Sequence, residues 1–209
     1  MAPPSIRHLI NRIKRARGGM LSAVEQRWRW GHLAPGRGEV VTVDPREVRG
    51  YLHLELASRL RAQHGVAHGG VVGGDWELEV SDDDPTQTTV YQSCAMRWQD
   101  GYRWQDTPAY QDYAARIESG ALKRYGPEEG LLERYQQLDE IYAQVLREGA
   151  LSPEPAHLIR VNVTRSGRLA YGPDGRHRFV IALLAGLETM PARVGFVHPD
   201  ALDRFQALR

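Results

Sequence analysis

The sequence has very little cysteine and no long apolar run. Cys94 is the single cysteine among 209 residues, which excludes an internal disulfide and a zinc site built from cysteines, because both need at least two thiols. No stretch approaches the roughly 20 apolar residues that cross a bilayer, and the N-terminus lacks the apolar core of a signal peptide. We therefore expect a cytoplasmic protein, with a peripheral position at the inner membrane surface as an alternative.

The charge is small in total but uneven along the chain. The formal net charge is +1, whereas residues 1–38 contain eight Lys or Arg and one acidic residue, so this arm carries +7 and the remainder −6. Apolar residues recur in the arm at the spacing of one helical face, namely Ile6, Leu9, Ile10 and Ile13. A basic amphipathic helix of this kind favours an anionic partner: nucleic acid, an anionic membrane surface or the acidic body of the protein itself.

The rest of the chain mixes strand and helix patterns, which predicts an α+β fold. A β-branched run at residues 40–43 predicts a strand, and the length of residues 48–63 favours a helix, although their first half also alternates like a strand. A Thr-Pro start at residues 107–108 and the apolar stripe of residues 127–149 predict two further helices. Residues 158–197 predict strand, turn, strand, loop, helix and strand in that order.

Three segments between these elements have unusual compositions. Residues 64–74 are rich in glycine and histidine and predict a loop or short strand where backbone can approach a ligand. The run of three aspartates and a proline at residues 82–85 is typical of a solvated turn. Residues 91–113 interleave aromatic and basic side chains, a pattern that binds nucleic acid or sugar rings but more often forms an amphipathic core face.

The residue types that favour anion binding stand together where the predicted loop enters the C-terminal helix. Gly175 lets the backbone come close to an anion, and the free N–H groups of the first helical turn favour negative charge. Arg178 carries a planar cation that binds phosphate through two hydrogen bonds, and His177 can add a hydrogen bond or carry a proton. Asp174 is placed to cap the helix. The alternative is that Arg178 and His177 only tie the turn to the sheet.

The C-terminal strings of the chain resemble a known superfamily. Residues 174–182, Asp-Gly-Arg-His-Arg-Phe-Val-Ile-Ala, are followed by Gly186-Leu187 and by Met-Pro-Ala-Arg-Val at residues 190–194. These strings resemble the ParB/sulfiredoxin superfamily, whose members share a Gly-x-His-Arg or Gly-x-x-Arg turn, an apolar helix and a Pro-containing strand. The resemblance covers about 40 residues, roughly a fifth of the chain.

This resemblance implies both an architecture and a ligand. It implies a small mixed sheet of ParB/sulfiredoxin type within residues 39–209, with residues 40–43 as its first strand and a helical insertion at about residues 46–150. The superfamily includes sulfiredoxins, chromosome-partitioning CTPases and kinases of free serine, and its shared turn binds nucleotide phosphates. The turn here would therefore bind ATP, ADP or CTP with Mg²⁺ through Asp174, Gly175, Arg176, His177 and Arg178. Arg176 stands where sulfiredoxins have their catalytic cysteine, so we do not expect sulfiredoxin activity.

Phosphoryl transfer to a hydroxyl group uses phosphate clamps, a metal ion and a carboxylate that receives the proton. Asp75 is the first candidate for this base, because two glycines precede it and Trp76 follows, an arrangement that suits a pocket wall; a turn or cap residue is the alternative. Glu47 is the second candidate, since the resemblance to the serine kinases implies an acidic base in that region.

We therefore expect a nucleotide-dependent, kinase-like phosphotransferase that acts on a small hydroxylated molecule. The alternative is a ParB-like nucleotide-binding switch or nuclease. In that case the basic arm would associate with DNA or an anionic membrane surface.

Overall fold

In a computed structural model of the chain we describe residues 24–66, 69–122, 128–154 and 158–209. The predicted amphipathic stripe that begins at Ile6 lies outside these residues. None of the helices in these ranges is long and apolar enough to cross a bilayer.

The described strands form one mixed, six-stranded sheet. The strands are β1 (Val40–Val43), β2 (Val48–Tyr51), β3 (Gly70–Val71), β4 (Ile159–Val163), β5 (Leu169–Tyr171) and β6 (Met190–Val197). Their order in the sheet is β1-β6-β4-β5-β2, and β3 pairs with the C-terminal end of β6. β4 runs parallel to β6 and antiparallel to β5, whereas β1 is antiparallel to β6 and β2 is parallel to β5.

Helices cover the sheet on both faces, so the predicted α+β class is confirmed. The two insertion helices also appear where the start and stop signals placed them, since Pro108 opens one and Gly149, with φ of 66°, follows the other. The helices are α1 (residues 24–30), α2 (Leu54–His64), α3 (Thr89–Trp98), α4 (Pro108–Glu118), α5 (Glu128–Glu148), α6 (Arg176–Leu184) and α7 (Leu202–Gln206).

Alternation along β4 separates two layers of packing. Ile159, Val161 and Val163 are buried in the core that also holds Phe179 and Ile181 of α6. The intervening residues of β4 point to the opposite face, where α2 packs its apolar stripe. We call these the α6 face and the α2 face of the sheet.

Asn162 is a fully buried polar residue on the α2 face. Its Nδ2 donates to the carbonyl oxygens of Ala170 (3.2 Å) and Gly172 (3.0 Å), and its Oδ1 accepts from the backbone N–H of Phe196 (2.9 Å). A side chain at Gly195 would place its Cβ 2.1 Å from this Oδ1. Asn162 therefore joins β5, β6 and the start of the loop at residues 172–175, which we call the motif turn.

Asp139 on α5 organises the aromatic and basic segment of the insertion. Its carboxylate accepts hydrogen bonds from Arg97 (2.7 Å) and from the indole nitrogens of Trp98 (2.8 Å) and Trp104 (3.1 Å). Cys94 is buried beside this network. The pKa of its thiol is raised to about 12, mainly by burial and to a smaller extent by the charge of Asp139. The segment is thus a core face, and its thiol stays protonated near neutral pH.

The helix predicted over residues 48–63 is wrong in its first half. Val48 and Tyr51 pair with Leu169 and Tyr171 as strand β2, and α2 begins only at Leu54. The free edge of β5 supplies backbone partners that the local sequence does not reveal, so the strand-like alternation prevails there.

The described part of the basic arm is docked on the body. Gln26 on α1 exchanges two hydrogen bonds with the backbone of Val71 on β3, at 3.0 and 2.7 Å. Trp30 and Leu33 pack against the main core.

Candidate functional site

The motif turn is held against the N-terminal end of β4. The N–H of Gly172 donates to the carbonyl oxygen of Arg160 (3.0 Å), and the N–H of Arg160 approaches the carbonyl oxygen of Asp174 (3.5 Å). Together with the amide of Asn162, these contacts place the first residues of α6 at the edge of the sheet.

Gly175 is the N-cap of α6, and no other residue type fits this position. Its φ of 87° lies in the left-handed region, and an added Cβ would lie 2.6 Å from the Cα of Ile159. The prediction that Asp174 caps the helix is wrong, because the cap residue is one position later and no side chain caps it. The Asp174 carboxylate instead lies 3.7 Å from the Nε of Arg160.

Arg176 lies at one side of the α6 N-terminus, in a cleft of about 520 Å³ that we call the α3–α6 cleft. Its guanidinium carbon lies 4.5 Å from the ring centroid of Tyr51, which packs at 5.0 Å against Tyr171. Thr88, the N-cap of α3, also lines the cleft. The cleft thus combines a cation, an aromatic wall and the N-terminal end of a second helix; its other lining residues include His53, Asp83, Asp84, Gln87 and Thr89.

His177 and Arg178 turn away from this cleft, toward α5. The ring of His177 packs edge-on against Tyr135 at 5.9 Å, and its buried Nε2 has no hydrogen-bond partner among the described residues. Burial is the largest cause that lowers the pKa of His177 to about 4, followed by the charges of Arg134 and Arg176. Burial, and then the charge of Arg134, also lower the pKa of Arg178. His177 is therefore a neutral hydrogen-bonding group near pH 7.

Three arginines around the α6 N-terminus lack a bound carboxylate. Across the described side chains, Arg134, Arg176 and Arg178 form no ion pair and no hydrogen bond, although Glu154 opposes the shift of Arg178 from a greater distance. Most other arginines of the body do form ion pairs, for example Arg97 with Asp139 and Arg168 with Asp82. The site therefore holds three cations that no described carboxylate pairs directly.

The structure does not bring Asp75 to this site. Its carboxylate pairs with Arg165 at 2.6 Å, in the turn that follows the C-terminal end of β4. Arg165 is six residues beyond Ile159, the residue that touches Gly175, which corresponds to about 20 Å along a strand. Asp75 therefore lies at the opposite end of the sheet from the motif turn.

Glu47 is also separated from the α3–α6 cleft. It precedes β2 and pairs with Arg204 on α7, whereas the cleft is reached only at Tyr51, the last residue of β2. The three strand residues between them span about 10 Å.

The sequence reasoning missed the carboxylates that do line the cleft, Asp83 and Asp84. Asp84 caps a short 3₁₀ turn (Pro85–Gln87) by accepting from the N–H of Thr86. Asp83 adds to the rise in the pKa of Tyr171, whose main cause is burial. The Asp-Pro pair correctly signalled a turn, but nothing local indicated that this turn faces Arg176.

These carboxylates bear on the expected metal ion. The described side chains include no group of three His, Cys, Asp or Glu that could hold a metal alone. Mg²⁺ in phosphoryl transfer, however, takes one or two carboxylates together with phosphate oxygens and water. Asp83 and Asp84 fit a Mg²⁺ ion that arrives with a nucleotide.

Comparison of the chain with protein-family models, with curated proteins and with solved structures gave no match.

Proposed function

We propose that the protein binds the phosphates of a nucleotide at the N-terminus of α6 and transfers a phosphoryl group to a small hydroxylated molecule in the α3–α6 cleft. The observation that carries this proposal is Arg176, a cation in a cleft that no described carboxylate pairs. The resemblance of the motif turn to the ParB/sulfiredoxin superfamily supports the same ligand.

The phosphates have two kinds of partner in this proposal. The free N–H groups of the first turn of α6 bind phosphate oxygens, and the helix dipole adds favourable potential. Arg176 and Arg178 flank that turn on opposite sides and each supply a charge-assisted hydrogen bond. His177, neutral near pH 7, serves as a hydrogen-bonding group rather than as a third cation. The aromatic wall of Tyr51 and Tyr171 offers a surface for a base or sugar ring.

Asp83 is the best placed residue to receive the proton of the acceptor hydroxyl. It lines the same cleft as Arg176, whereas Asp75 and Glu47 lie elsewhere. Asp84 already accepts hydrogen bonds from Thr86, so it is better suited to orient a Mg²⁺ ion than to take a proton. Both roles need the nucleotide in place, since they act on its phosphates and on the acceptor.

A nucleotide-binding switch that attaches to an anionic surface is the second candidate. Trp28 on α1 is 88% exposed and stands between the cations Arg27 and Arg29, within the basic arm. An exposed indole beside cations favours the interface of an anionic membrane. Co-sedimentation with anionic vesicles and with DNA, with and without nucleotide, separates this candidate from a free enzyme.

The decisive experiment is a binding and turnover panel. Calorimetric titration with ATP, ADP, CTP and GTP in the presence of Mg²⁺ should find one nucleotide that binds the unmodified chain. Arg176→Gln should then bind it at least about ten-fold more weakly, because a charge-assisted hydrogen bond is lost. Arg165→Gln, a matched loss of charge at the other end of β4, should bind it normally. Equal affinities in all three folded proteins would refute the site.

A further inference from the structure

The ring of Tyr51, the last residue of β2, contacts the side chain of Arg176 in the α3–α6 cleft. The guanidinium carbon of Arg176 lies 4.5 Å from the ring centroid, and no described carboxylate pairs with this cation. The ring is itself held, because it packs on His53 at 4.7 Å and on Tyr171 at 5.0 Å. A cation–π contact attracts the guanidinium group but does not use its N–H donors as a carboxylate would. Tyr51 therefore places the cation and leaves its donors available to a phosphate.

The same ring lies against the motif turn. A side chain at Gly172 would place its Cβ 2.7 Å from the Cε2 of Tyr51 and 2.5 Å from the carbonyl oxygen of Leu52, so the close approach requires glycine. The N–H of Leu52 also donates to the carbonyl oxygen of Tyr171 (2.8 Å). The end of β2 and the start of the motif turn are thus packed together.

The backbone of Tyr51 binds a second segment, the one that leads to Asp83. The N–H of Tyr51 donates to the carbonyl oxygen (3.3 Å) and the Oγ (3.2 Å) of Ser81, and the N–H of Ser81 donates to the carbonyl oxygen of Tyr51 (3.1 Å). Gly50 makes room for this pairing, because its φ is 83° and an added Cβ would lie 2.1 Å from the carbonyl oxygen of Ser81. The approach of Ser81 to β2 therefore depends on Gly50.

Ser81 leads directly into the carboxylates of the cleft. Asp83 is two residues further, which is at most about 7 Å along the chain. Asp84 also lies 3.7 Å from Arg49 of β2 in an ion pair. The turn that carries both carboxylates is therefore attached to the same strand end that contacts Arg176.

We infer that Gly50 and Tyr51, which we call the β2 end, are positioning residues for the phosphoryl transfer proposed above. The ring of Tyr51 sets the position of the Arg176 cation. The backbone pairing with Ser81 sets the position of Asp83. One two-residue segment thus fixes the phosphate-binding cation relative to the proton acceptor. This inference rests on the proposed function, and the β2 end acts through these two groups rather than on the transferred phosphoryl group itself.

The first test measures nucleotide affinity in a double-mutant cycle. With the nucleotide found by titration, Tyr51→Leu should bind about five-fold more weakly than the unmodified chain, because the cation loses its ring contact. Tyr51→Phe, which keeps the ring, should bind normally, and so should Tyr102→Leu, which removes an exposed tyrosine ring elsewhere. In the Arg176→Gln background, Tyr51→Leu should cause no further loss. Tyr51→Met replaces the leucine variant if that variant does not fold.

The second test measures turnover. Gly50→Ala should turn over at least about ten-fold more slowly, because its Cβ displaces the carbonyl of Ser81 and with it Asp83, while the affinity for nucleotide without Mg²⁺ changes less than about two-fold. Gly101→Ala is the control, since it has φ of 78° and no atom within 4 Å, and it should turn over normally. A merely structural β2 end would not separate affinity from turnover in this way.

The outcomes distinguish this inference from the proposed function. Absence of nucleotide binding by the unmodified chain would overturn both. If the unmodified chain binds nucleotide, then equal affinity in Tyr51→Leu, an equal loss in both backgrounds, or normal turnover in Gly50→Ala would each overturn the inference alone.

Discussion

The two ends of β4 carry opposite kinds of charge arrangement. Beyond its C-terminal end, Arg165 meets Asp75 at 2.6 Å, Glu77 at 3.1 Å and Asp200 at 3.8 Å. At its N-terminal end, Arg176 and Arg178 have no described carboxylate partner. The first cluster is satisfied within the protein, whereas the cations of the second have no carboxylate paired with them among the described residues.

This difference shows which carboxylates indicate a candidate functional site. Asp75 has the glycine-rich approach expected of a pocket residue, but its charge is already committed to Arg165 in a surface ion-pair network. Asp83 has an ordinary turn sequence, yet it faces a cleft with an unpaired cation. The position of the uncompensated charge, rather than the local sequence, marks the candidate site.

The largest expected effect comes from Gly175→Ala, which disrupts the motif turn at the N-terminal end of β4. The new Cβ must avoid the Ile159 backbone at 2.6 Å and tolerate φ of 87°, so we expect a loss of about 3 kcal/mol in the free energy of unfolding and loss of nucleotide binding. Urea denaturation measures the first effect. Gly101→Ala is the control, since it has φ of 78° and no atom within 4 Å, and it should lose only about 1 kcal/mol. Equal losses would show that the close approach at Gly175 is unimportant.

His177 should make the free energy of unfolding of the chain depend on pH. Its pKa is about 4 in the folded chain against 6.5 for the free side chain, so the unfolded chain binds the proton first as the pH falls. The contribution of His177 to the free energy of unfolding is therefore complete above about pH 6.5. It decreases between pH 6.5 and 4, by roughly 3 kcal/mol at the lower limit. Denaturation of the unmodified chain and of His177→Gln across this window isolates the effect. Parallel stability curves for the two proteins would contradict it.

Comparing the variants Asp83→Asn and Asp75→Asn tests which aspartate acts as the base. Asp83→Asn should slow turnover about 100-fold, the usual scale for loss of a general base, while nucleotide still binds without Mg²⁺. Asp75→Asn should turn over at the normal rate, because its carboxylate lies at the other end of the sheet. Single-turnover assays with the nucleotide found by titration decide between them. The reverse pattern would restore Asp75 as the base.

The smallest effect is expected for Arg165→Gln. Arg165 is exposed and its ion pairs are screened by salt, so the melting temperature should fall only slightly, and less at high salt than at low salt. Nucleotide affinity should not change. A loss of nucleotide binding in this variant would mean that the two ends of β4 are coupled, and the comparison would fail.

Local patterns predicted much of the fold but little of the site. The caps and stripes of α4 and α5, and the strand-turn-strand-loop-helix-strand order after residue 158, follow from neighbouring residues and are found as expected. Strand β2 was missed because its partner, β5, lies more than 100 residues away. The pairing of Asp174 with Arg160, and the stacking of Arg176 on Tyr51, likewise depend on how distant segments meet.

The three hydrogen bonds of Asn162 have a consequence for how a ligand would be received. The carbonyl of Gly172 is bound to the same buried amide that holds β5 and β6, so the start of the turn before α6 is tied to the core by the protein's own groups. Ordering a mobile loop consumes part of the interaction energy of many complexes. An anion that binds at this turn should therefore lose little affinity to loop ordering, and the arginines should set most of its affinity.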